Sequence, residues 1–539
     1  MADPLTYFKQ RYDDDWLVGY DSQDFFALAE RVLGELRSCP HRELPLTILL
    51  AERDPLKFLA HFIAACATNC HIFLANPDWV DAEWQQVFEL VEPDLVWGDR
   101  AIHQWRTAET RRRRDAAEGN SHSLLPTPHS PLPTPHIMIP TGGTSGKIRF
   151  AIHTWETLMA SVQGFREYFE IDQVNSFCVL PLYHVSGLMQ FLRSFTSGGR
   201  FVVLPFKAVE AGDRSSVNPE EFFLSLVPTQ LQRLLDGEKA EGKTAETQRR
   251  REAFFIPNSK LFGEAPLPTP HSPLPTPYSP LPTPHSSIAW LSRFHTVLLG
   301  GAPAWSGLLE QARSHRIRLA PTYGMTETAS QIATLKPDDF LNGHTNAGQV
   351  LPHAHITIRK PSGAVLNAHE IGNVTIQAKS LAIGSYPFTS PSPHLLLPPS
   401  HTPHPTPHTP PDDLGYFDTD GYLHIIGRHS DKIITGGENV FPAEVEAAIR
   451  STALVQDICV LGVNDRHWGQ AIAAVYIPIA AETPAVLIQA ALTDKLSKFK
   501  RPKHWIAVAQ LPRNVQGKVN RLHVEAIAKA WLSTVATID

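Results

Sequence analysis

Apolar residues recur along the chain in two rhythms, and each rhythm predicts a different element. Near the N-terminus they are spaced by three to four residues, as on one face of an α-helix. This stripe consists of Phe25, Leu28, Ala29, Val32, Leu33 and Leu36. Elsewhere they form short runs rich in β-branched or aromatic residues: LTILLA (46–51), FCVLP (177–181), FVVLP (201–205) and TVLLG (296–300). Such runs suit buried, largely parallel strands, so the alternation of the two patterns predicts an α/β fold.

A smaller unit follows towards the C-terminus. FPAEVEAAIR (441–450) places Pro442 at the start of a predicted helix with acidic residues in its first turns, which suits the helix dipole. DICVLGV (457–463) and AAVYIPI (473–479) then predict two strands. We therefore predict two domains, over residues 1–427 and 428–539.

Three proline-rich segments interrupt these patterns. They are LPTPHSPLPTPH (125–136), PLPTPHSPLPTPYSPLPTPH (266–285) and a more divergent copy of the same repeat, PHLLLPPSHTPHPTPHTPP (393–411). Proline fixes φ and lacks an N–H donor, so we expect extended, exposed chain here. We interpret the segments as insertions into surface loops, where added length costs little free energy. Their histidines, such as His129 and His136, are interpreted as part of the repeat and not as metal ligands.

Composition and charge narrow the class of protein. A chain of 539 residues predicts at least two domains, and 42% apolar with 19% charged residues is typical of a soluble globular protein. The formal charge of −6 argues against nonspecific nucleic-acid binding, and we interpret the basic run 111–114 as a solvated loop. The five cysteines form no C-x-x-C pair, which suits a reducing cytosol. No signal peptide or membrane span is expected, and a cytoplasmic location is predicted.

A glycine loop lies at 137–150, IMIPTGGTSGKIRF. Its backbone N–H groups and hydroxyls are suited to an anion. The Walker motif fails, because Thr141 stands where glycine is required and Ile148 where a hydroxyl is required. The G-x-G-x-x-G motif fails because Gly142 and Gly143 are adjacent. Alone, the stretch is either an anion site or a glycine turn between strand and helix.

Further stretches carry polar residues at the ends of predicted strands. Each alone has an ordinary reading as a turn, a surface acid or a solvated lysine. They are LPLYHVSG (180–187), LLGGAP (298–303), PTYGMTET (321–328), DDLGYFDTDGYLHIIGR (412–428) and LPRNVQGKVNR (511–521).

In this order, with the glycine loop, the stretches resemble the adenylate-forming superfamily of acyl-CoA synthetases, adenylation domains and luciferases. The resemblance covers the chain outside the insertions. It implies a large N-terminal domain of layered α/β sheets and a small, mobile α+β C-terminal domain. PTGGTSGKIRFAIHTWETL, LPLYHVSGLMQFLRSF and YGMTETASQIAT look most like the 2-succinylbenzoate–CoA ligases of menaquinone and phylloquinone synthesis. The implied enzyme is an AMP-forming acid–thiol ligase acting on a small carboxylic acid, ATP, Mg²⁺ and CoA.

The resemblance implies that the glycine loop holds the triphosphate of ATP. The family's loop reads T-S-G-T-T-G-x-P-K, with Ile148 here replacing its proline and Arg149, which keeps the charge, its lysine. The implied contacts are Thr141, Gly142, Gly143, Thr144, Ser145, Gly146, Lys147 and Arg149.

The same resemblance implies an adenine pocket, with the Tyr323 ring against the base. Thr326 would contact the α-phosphate, and Glu327 would bind Mg²⁺, which prefers oxygen ligands. Asp413 and Arg428 would bind the ribose, although the third insertion ends just upstream and Asp412 competes with Asp413. The remaining pocket residues are Gly300, Gly301, Ala302 and Pro303.

Lys518 matches the family's catalytic lysine, which bridges the acyl carboxylate and the α-phosphate. Its implied role is positioning and charge stabilisation. The family then swings its small domain about a hinge, here 430–431, and brings TGGEN (435–439) to the thiol channel. His184 would lie between the nucleotide and acyl pockets as a gate, or be an ordinary core histidine.

Three alternatives stay open from the sequence. The first is a CoA ligase for another aryl or fatty acid, since the pocket residues are scattered between the motifs. The second is an adenylation domain that loads a carrier protein. The third is a pseudoenzyme inactivated by the insertions, against which Glu327 and Lys518 argue.

Overall fold

The structure is a computed structural model, and it describes the chain apart from several short or inserted segments. Of the first insertion it describes only 134–136, whereas the second and third lie outside the described residues. The described residues are 2–39, 45–107, 134–141, 148–236, 286–387, 412–428, 431–435, 438–465, 468–480, 484–513 and 518–535.

Helices and strands alternate, as the sequence pattern predicts, and residues 99–107 and 228–236 are helical as well. The helices are α1 (Pro4–Gln10), α2 (Ser22–Ser38), α3 (Pro55–Ala67), α4 (Asp81–Leu90), α5 (Trp155–Phe169), α6 (Val185–Ser197), α7 (Phe206–Glu210), α8 (Ser287–Leu291), α9 (Ser306–Ser314), α10 (Pro337–Leu341), α11 (Pro442–Arg450), α12 (Ala485–Ala491) and α13 (Arg521–Val535).

The strands form four sheets. They are β1 (Leu17–Val18), β2 (Thr47–Leu50), β3 (His71–Leu74), β4 (Leu95–Trp97), β5 (Ile137–Thr141), β6 (Arg149–His153), β7 (Asn175–Cys178), β8 (Phe201–Val203), β9 (Phe222–Leu226), β10 (Thr296–Leu299), β11 (Leu319–Met325), β12 (Ser330–Thr334), β13 (Gln349–Val350), β14 (Ala354–Arg359), β15 (Gly372–Ala378), β16 (Gly384–Tyr386), β17 (Asp413–Phe417), β18 (Leu423–Arg428), β19 (Ile433–Thr435), β20 (Glu438–Val440), β21 (Val455–Asp465), β22 (Gly469–Pro478) and β23 (His504–Ala507).

Two of the sheets are stacked in layers with helices between them. The eight-stranded sheet runs β1-β8-β7-β9-β10-β11-β12-β13, and the six-stranded sheet runs β16-β6-β5-β3-β2-β4. Helices α2, α3, α5 and α6 pack between them in one core. Helix α9 covers the outer face of the first sheet and α4 that of the second. The predicted layered α/β fold is therefore confirmed.

The predicted strands and helices fall where the apolar pattern places them. The four short runs became β2, β7, β8 and β10, each paired in parallel with a neighbour. The stripe became α2, whose Phe25, Ala29, Val32, Leu33 and Leu36 are buried. Pro442 begins α11. Continuous apolar runs suit these strands because both faces of a parallel sheet are covered.

The residues after 428 form the small domain. Its five-stranded sheet orders β20-β19-β22-β21, with β23 pairing β22. Helices α11 and α12 pack on one face and α13 on the other. The remaining sheet, β14-β15-β17-β18, ends at Arg428, so the boundary predicted between 427 and 428 falls in its last strand.

His136 departs from the expectation of exposed insertions. It is 3% exposed, and its ring stacks on that of His71 with centroids 5.5 Å apart. Its carbonyl accepts the Ile72 N–H at 2.9 Å. The expectation was wrong here because the insertion ends directly before β5, a strand inside the sheet. Backbone that enters a sheet is buried by the neighbouring strands.

In the part of the chain that the structure describes, no helix has both the length and the apolar composition to cross a bilayer.

Candidate active site

The ends of neighbouring parallel strands bring the predicted nucleotide residues to one edge. Strand β10 pairs with β11 in parallel, with Leu299 opposite Pro321. The turn 300–303 follows β10, and Thr326 follows β11 directly. Ligands of open α/β sheets bind at the carboxyl ends of strands, so this edge is the expected place for a site.

Two glycines keep the turn after β10 thin. A β-carbon at Gly300 would lie 2.4 Å from Thr322 Oγ1, and Gly301 has φ +80°, where side chains are strained. A β-carbon at Gly301 would lie 4.0 Å from Lys518 Cε. The lysine from the small domain therefore lies over this turn. Ala302 and Pro303, which complete the predicted pocket set, are exposed.

Tyr323, Asp413 and Arg428 form one polar group. The Tyr323 hydroxyl donates to Asp413 Oδ2 at 2.6 Å, and Arg428 Nε lies 3.4 Å from Asp413 Oδ1. Asp413 pairs with Arg428 across β17 and β18. Burial, and then the Asp413 charge, raise the pKa of Tyr323, so the phenol stays a donor. The neighbouring Asp412 has φ +91° and precedes the strand, so the structure brings Asp413 to this group.

Thr326 and Glu327 lie on a tight turn that other elements hold by its carbonyls. His153 Nε2 lies 2.8 Å from the Thr326 carbonyl, and the Ala382 N–H donates to the Glu327 carbonyl at 2.7 Å. The Glu327 side chain is half-buried. The carboxylate is close enough to Lys518 for its charge to act on the pKa of that lysine.

Lys518 lies among charged and polar groups of the large domain. Much of the residue's surface is exposed, but protein surrounds the amine end. Its pKa is lowered because burial disfavours the charge and Arg428 adds a second cation, while Glu327 opposes the shift. The structure thus brings Lys518, Glu327 and Arg428 together, as the sequence predicted.

His184 lies beside this group, at the N-terminal end of α6. Its pKa is lowered to about 4 by burial and then by the Lys518 charge. The imidazole is therefore neutral near pH 7, and the Tyr183 ring lies 5.0 Å away, centroid to centroid. The proximity of His184 to Lys518 agrees with the predicted position; its role as a gate stays a prediction.

The glycine loop joins two antiparallel strands, and not a strand and a helix. Thr141 ends β5 and pairs with Arg149 of β6, whose carbonyl lies 3.4 Å from Thr141 Oγ1. Arg149 is exposed. The predicted contacts Gly142, Gly143, Thr144, Ser145, Gly146 and Lys147 lie outside the described residues.

The thiol-channel segment is described only in part. Thr435 is buried at the end of β19, whereas residues 429–430 and 436–437 lie outside the described chain.

Sequence reasoning missed a buried arginine on α6. Arg193 is 2% exposed, with its guanidinium carbon 4.2 Å from the Phe165 ring centroid. It donates to Gln331 Oε1 at 3.0 Å and Ser330 Oγ at 3.3 Å. Burial lowers its pKa to about 9. No carboxylate of the described residues forms an ion pair with it. The sequence signal was an arginine in the apolar run QFLRSF (190–195).

His153 was also missed as a site residue, because its contact with Thr326 joins positions 173 residues apart.

A magnesium ion fits the donor set at Glu327. Mg²⁺ is commonly bound by one or two carboxylates together with substrate phosphates. Glu327 supplies one carboxylate, and the described residues contain no cluster of three ligating side chains that would form a complete cage. The site therefore suits an ion that arrives with a nucleotide.

Comparison with known families agrees with this geometry. Residues 48–386 match the family described as AMP-binding enzyme, and residues 444–518 match the AMP-binding enzyme C-terminal domain.

Similar curated proteins carry one name. A 2-succinylbenzoate–CoA ligase of Geobacillus sp. (strain WCH70) is 29% identical over 394 residues, covering 71% of this chain and 66% of that protein. The enzyme of that name from Oceanobacillus iheyensis is 28% identical over 387 residues, covering 71% and 67%. The chain thus spans about two thirds of the length of these relatives.

Solved structures share the fold over nearly the whole chain. The o-succinylbenzoate CoA synthetase (MenE) of Bacillus subtilis, in complex with OSB-AMP, has TM-score 0.69 and 22% identity, covering 96% of this chain and 97% of that one. ATP-bound MatB from Rhodopseudomonas palustris has TM-score 0.72 and 20% identity, covering 98% and 99%.

Proposed function

The chain belongs to the AMP-binding enzyme family, and from this premise we propose that it is an ATP-dependent, AMP-forming acid–thiol ligase. Its acid would be 2-succinylbenzoate and its thiol CoA, in menaquinone or phylloquinone synthesis. We infer this substrate from the name that its relatives share. A cytoplasmic location is part of the proposal, supported by five unpaired cysteines.

The observation that carries the proposal is the meeting of Lys518 with the edge of the large domain. The lysine reaches the turn at Gly301, the Glu327 charge acts to raise the pKa of Lys518, and the Lys518 charge acts to lower the pKa of His184. The Asp413 carboxylate is buried nearby, with Tyr323 donating to it. A cation, a metal-binding carboxylate and a polar group for a ribose thus converge on one cleft.

In the first half-reaction a carboxylate oxygen of the acid attacks the α-phosphorus of ATP. A new O–P bond forms, the bond to the β-phosphate oxygen breaks, and pyrophosphate leaves. Two anions must approach each other, so positive charge from Lys518 stabilises the transition state more than the ground state. Mg²⁺ held by Glu327 and the phosphates would supply further positive charge.

In the second half-reaction the CoA thiol attacks the carbonyl of the acyl-adenylate. A C–S bond forms, the C–O bond to AMP breaks, and the thiol gives up its proton. The electron pair of the broken C–O bond stays on the phosphate of AMP and the thiol proton goes to solvent, and we assign Lys518 no task in this step. The small domain is therefore free to move between the two steps.

Arg193 favours an acid with a second negative group. 2-Succinylbenzoate has two carboxylates, and only one is activated. The guanidinium of Arg193 is buried at Ser330 and Gln331, just after the Thr326 turn, without a carboxylate partner among the described residues. A buried cation is stabilised by an anion, so the second carboxylate is a suitable partner.

The test is an AMP-release assay with purified protein, ATP, Mg²⁺ and CoA. 2-Succinylbenzoate should give AMP and a thioester at rates far above those with benzoate or a fatty acid. Release of AMP with another acid, and not with 2-succinylbenzoate, would show that the other acid is the substrate. AMP only when a carrier protein replaces CoA would make the chain a carrier-loading domain, and no AMP with any acid would contradict enzymatic function.

A variant of Arg193 tests its proposed contact with the second carboxylate of the acid. Arg193→Gln should raise KM for 2-succinylbenzoate by about 10- to 100-fold, the range for losing a hydrogen bond to a charged group, and leave KM for ATP near the parent value. Arg11→Gln is the matched control, since Arg11 is equally buried but bonds to the Ser194 and Gly199 carbonyls. Equal KM changes in both variants would refute the assigned contact.

A further inference from the structure

We propose that His153 is a positioning residue of the adenylation site, which fixes the turn carrying Thr326 and Glu327 by donating a hydrogen bond to the Thr326 carbonyl. This inference rests on the proposed function for the identity of the nucleotide, MgATP. It goes further by assigning the geometry of the phosphate-contacting turn to a side chain that touches neither substrate nor metal.

The bonding of His153 fixes its tautomer. The side chain is fully buried, with Nε2 2.8 Å from the Thr326 carbonyl and Nδ1 3.0 Å from Thr157 Oγ1. A carbonyl only accepts, so Nε2 carries the proton. Nδ1 is then the acceptor for the Thr157 hydroxyl. The imidazole is thus held at both nitrogens and points one donor at the site.

The ring acts without charge. Burial lowers the pKa of His153 to about 4, although the bond to Thr326 opposes the shift. A neutral ring adds no positive charge to the turn that carries the proposed Mg²⁺-binding carboxylate. Its contribution is direction and distance, which is what a positioning residue supplies.

The turn needs such support because its backbone is strained. Ala329 has φ +52° and Ser330 has φ +88°, two successive residues with side chains in the left-handed region. Neighbouring elements hold the carbonyls: Ala382 N–H donates to Glu327 at 2.7 Å, and Ser161 Oγ donates to Ala329 at 2.6 Å. The Thr326 carbonyl accepts the Ala329 N–H at 3.1 Å within the turn, and His153 supplies its donor from outside the turn.

His153 also connects the two stacked sheets. It lies on β6 opposite Ile137 of β5, the strand that enters the glycine loop. Thr326 follows β11 of the other sheet. The hydrogen bond therefore ties the strand pair that carries the predicted triphosphate loop to the turn that carries the predicted α-phosphate contact. This side chain is a direct link between strand β6 and the Thr326 turn.

Three variants test the assignment. His153→Met removes the donor at similar volume, and His153→Gln keeps an amide N–H of similar reach. Thr157→Val removes the hydrogen-bond partner of the ring at Nδ1, and serves if the methionine variant does not fold. His61→Met is the matched control, a half-buried histidine stacked on Trp97 at 4.5 Å and 3.5 Å from a Glu52 carboxylate oxygen, outside the site. For each, MgATP affinity is measured by calorimetry without acid, and both half-reactions and the melting temperature are measured separately.

His153→Met should weaken MgATP about tenfold and slow adenylation, while thioester formation from supplied acyl-adenylate stays near the parent rate. His153→Gln should recover most of the affinity, Thr157→Val should lose a smaller part of it, and His61→Met should change only the melting temperature. Folded methionine and glutamine variants with equal affinity, or a methionine variant with parental affinity, would overturn the proposal. If the parent protein releases no AMP with any acid but the affinity pattern holds, the proposed function fails and this inference stands.

Discussion

The two regions that meet at Lys518 are built by different means. The edge of the large domain lies at the ends of buried parallel strands. Short hydrogen bonds hold it, from His153 to the Thr326 carbonyl and from the Tyr323 hydroxyl to the buried Asp413 carboxylate. The small domain around Lys518 is held by ion pairs. Arg521, three residues after the lysine, lies 3.8 Å from Asp431 and 3.7 Å from Glu446.

We call the edge of the large domain the floor and the small domain, after residue 428, the lid, which the family resemblance predicts to move. Buried, satisfied hydrogen bonds specify one geometry, because any other arrangement leaves polar groups unpaired. The ion pairs of Arg521 lie within the small domain and hold the start of α13 to Asp431 and Glu446. The large domain thus holds one geometry at the Thr326 turn, and the predicted movement of the small domain would bring Lys518 to this turn and take it away.

Removing the lid's cation should have the largest effect. Lys518→Ala should slow acyl-adenylate formation by about 10²- to 10³-fold, the range for losing one preorganised charge-stabilising group. Thioester formation from supplied acyl-adenylate should be largely spared, and the ratio of the two rates is the readout. Equal losses in both half-reactions would contradict the assigned role.

The pH dependence of adenylation should report the charges around Lys518. The cationic form is required, so the rate falls as pH rises through its pKa, which lies below the ordinary 10.5. Arg428→Gln removes a cation that lowers this pKa and should move the alkaline limb to higher pH. Glu327→Gln removes the charge that raises it and should move the limb to lower pH. Profiles of the adenylation rate against pH, at saturating ATP, measure both shifts. Shifts in the same direction for the two variants would refute the assigned effects of Arg428 and Glu327 on the pKa of Lys518.

A contact between floor and lid should have a few-fold effect. The Arg450 guanidinium carbon of the lid lies 5.2 Å from the centroid of the Trp305 ring of the large domain. Loss of a cation–π pair, at about 0.5–1 kcal/mol, should slow adenylation roughly two- to fivefold and leave thioester formation unchanged or faster. Arg450→Met, Trp305→Leu and their double variant isolate the coupling, because Arg450 also pairs with Asp457 within the lid.

Lys529→Met is the control for that contact, since Lys529 pairs with Glu525 within α13. Fully additive effects of Arg450→Met and Trp305→Leu would show that the contact does not hold the first-step pose.

The smallest effect is expected from the insertion at 266–285. Its excision should leave the rate of AMP release near the parent value, because added loop length costs little free energy. The assay is the same as for the parent protein, with a melting curve as control for folding. Collapse of activity in a folded variant would show that the segment does more than lengthen a loop.

The sequence alone determined the elements and the residue types of the site. Apolar runs predicted β2, β7, β8 and β10. A strand that is buried on both faces is a continuous apolar run, and this run can be recognised without knowing which strands it pairs with. Proline at the start of α11 is equally local. Motifs in order then predicted Tyr323, Glu327 and Lys518 as one set. All of this information lies within short windows of the chain.

Only the tertiary structure decided which groups touch. Tyr323 and Asp413 are 90 residues apart, and the register of β17 against β18 brings Asp413 opposite Arg428. The burial of His136 and the contact of His153 with Thr326 depend on which strands are neighbours in a sheet. A hydrogen bond needs two groups within about 3 Å, and that distance is set by the packing of whole sheets and not by the sequence around either partner.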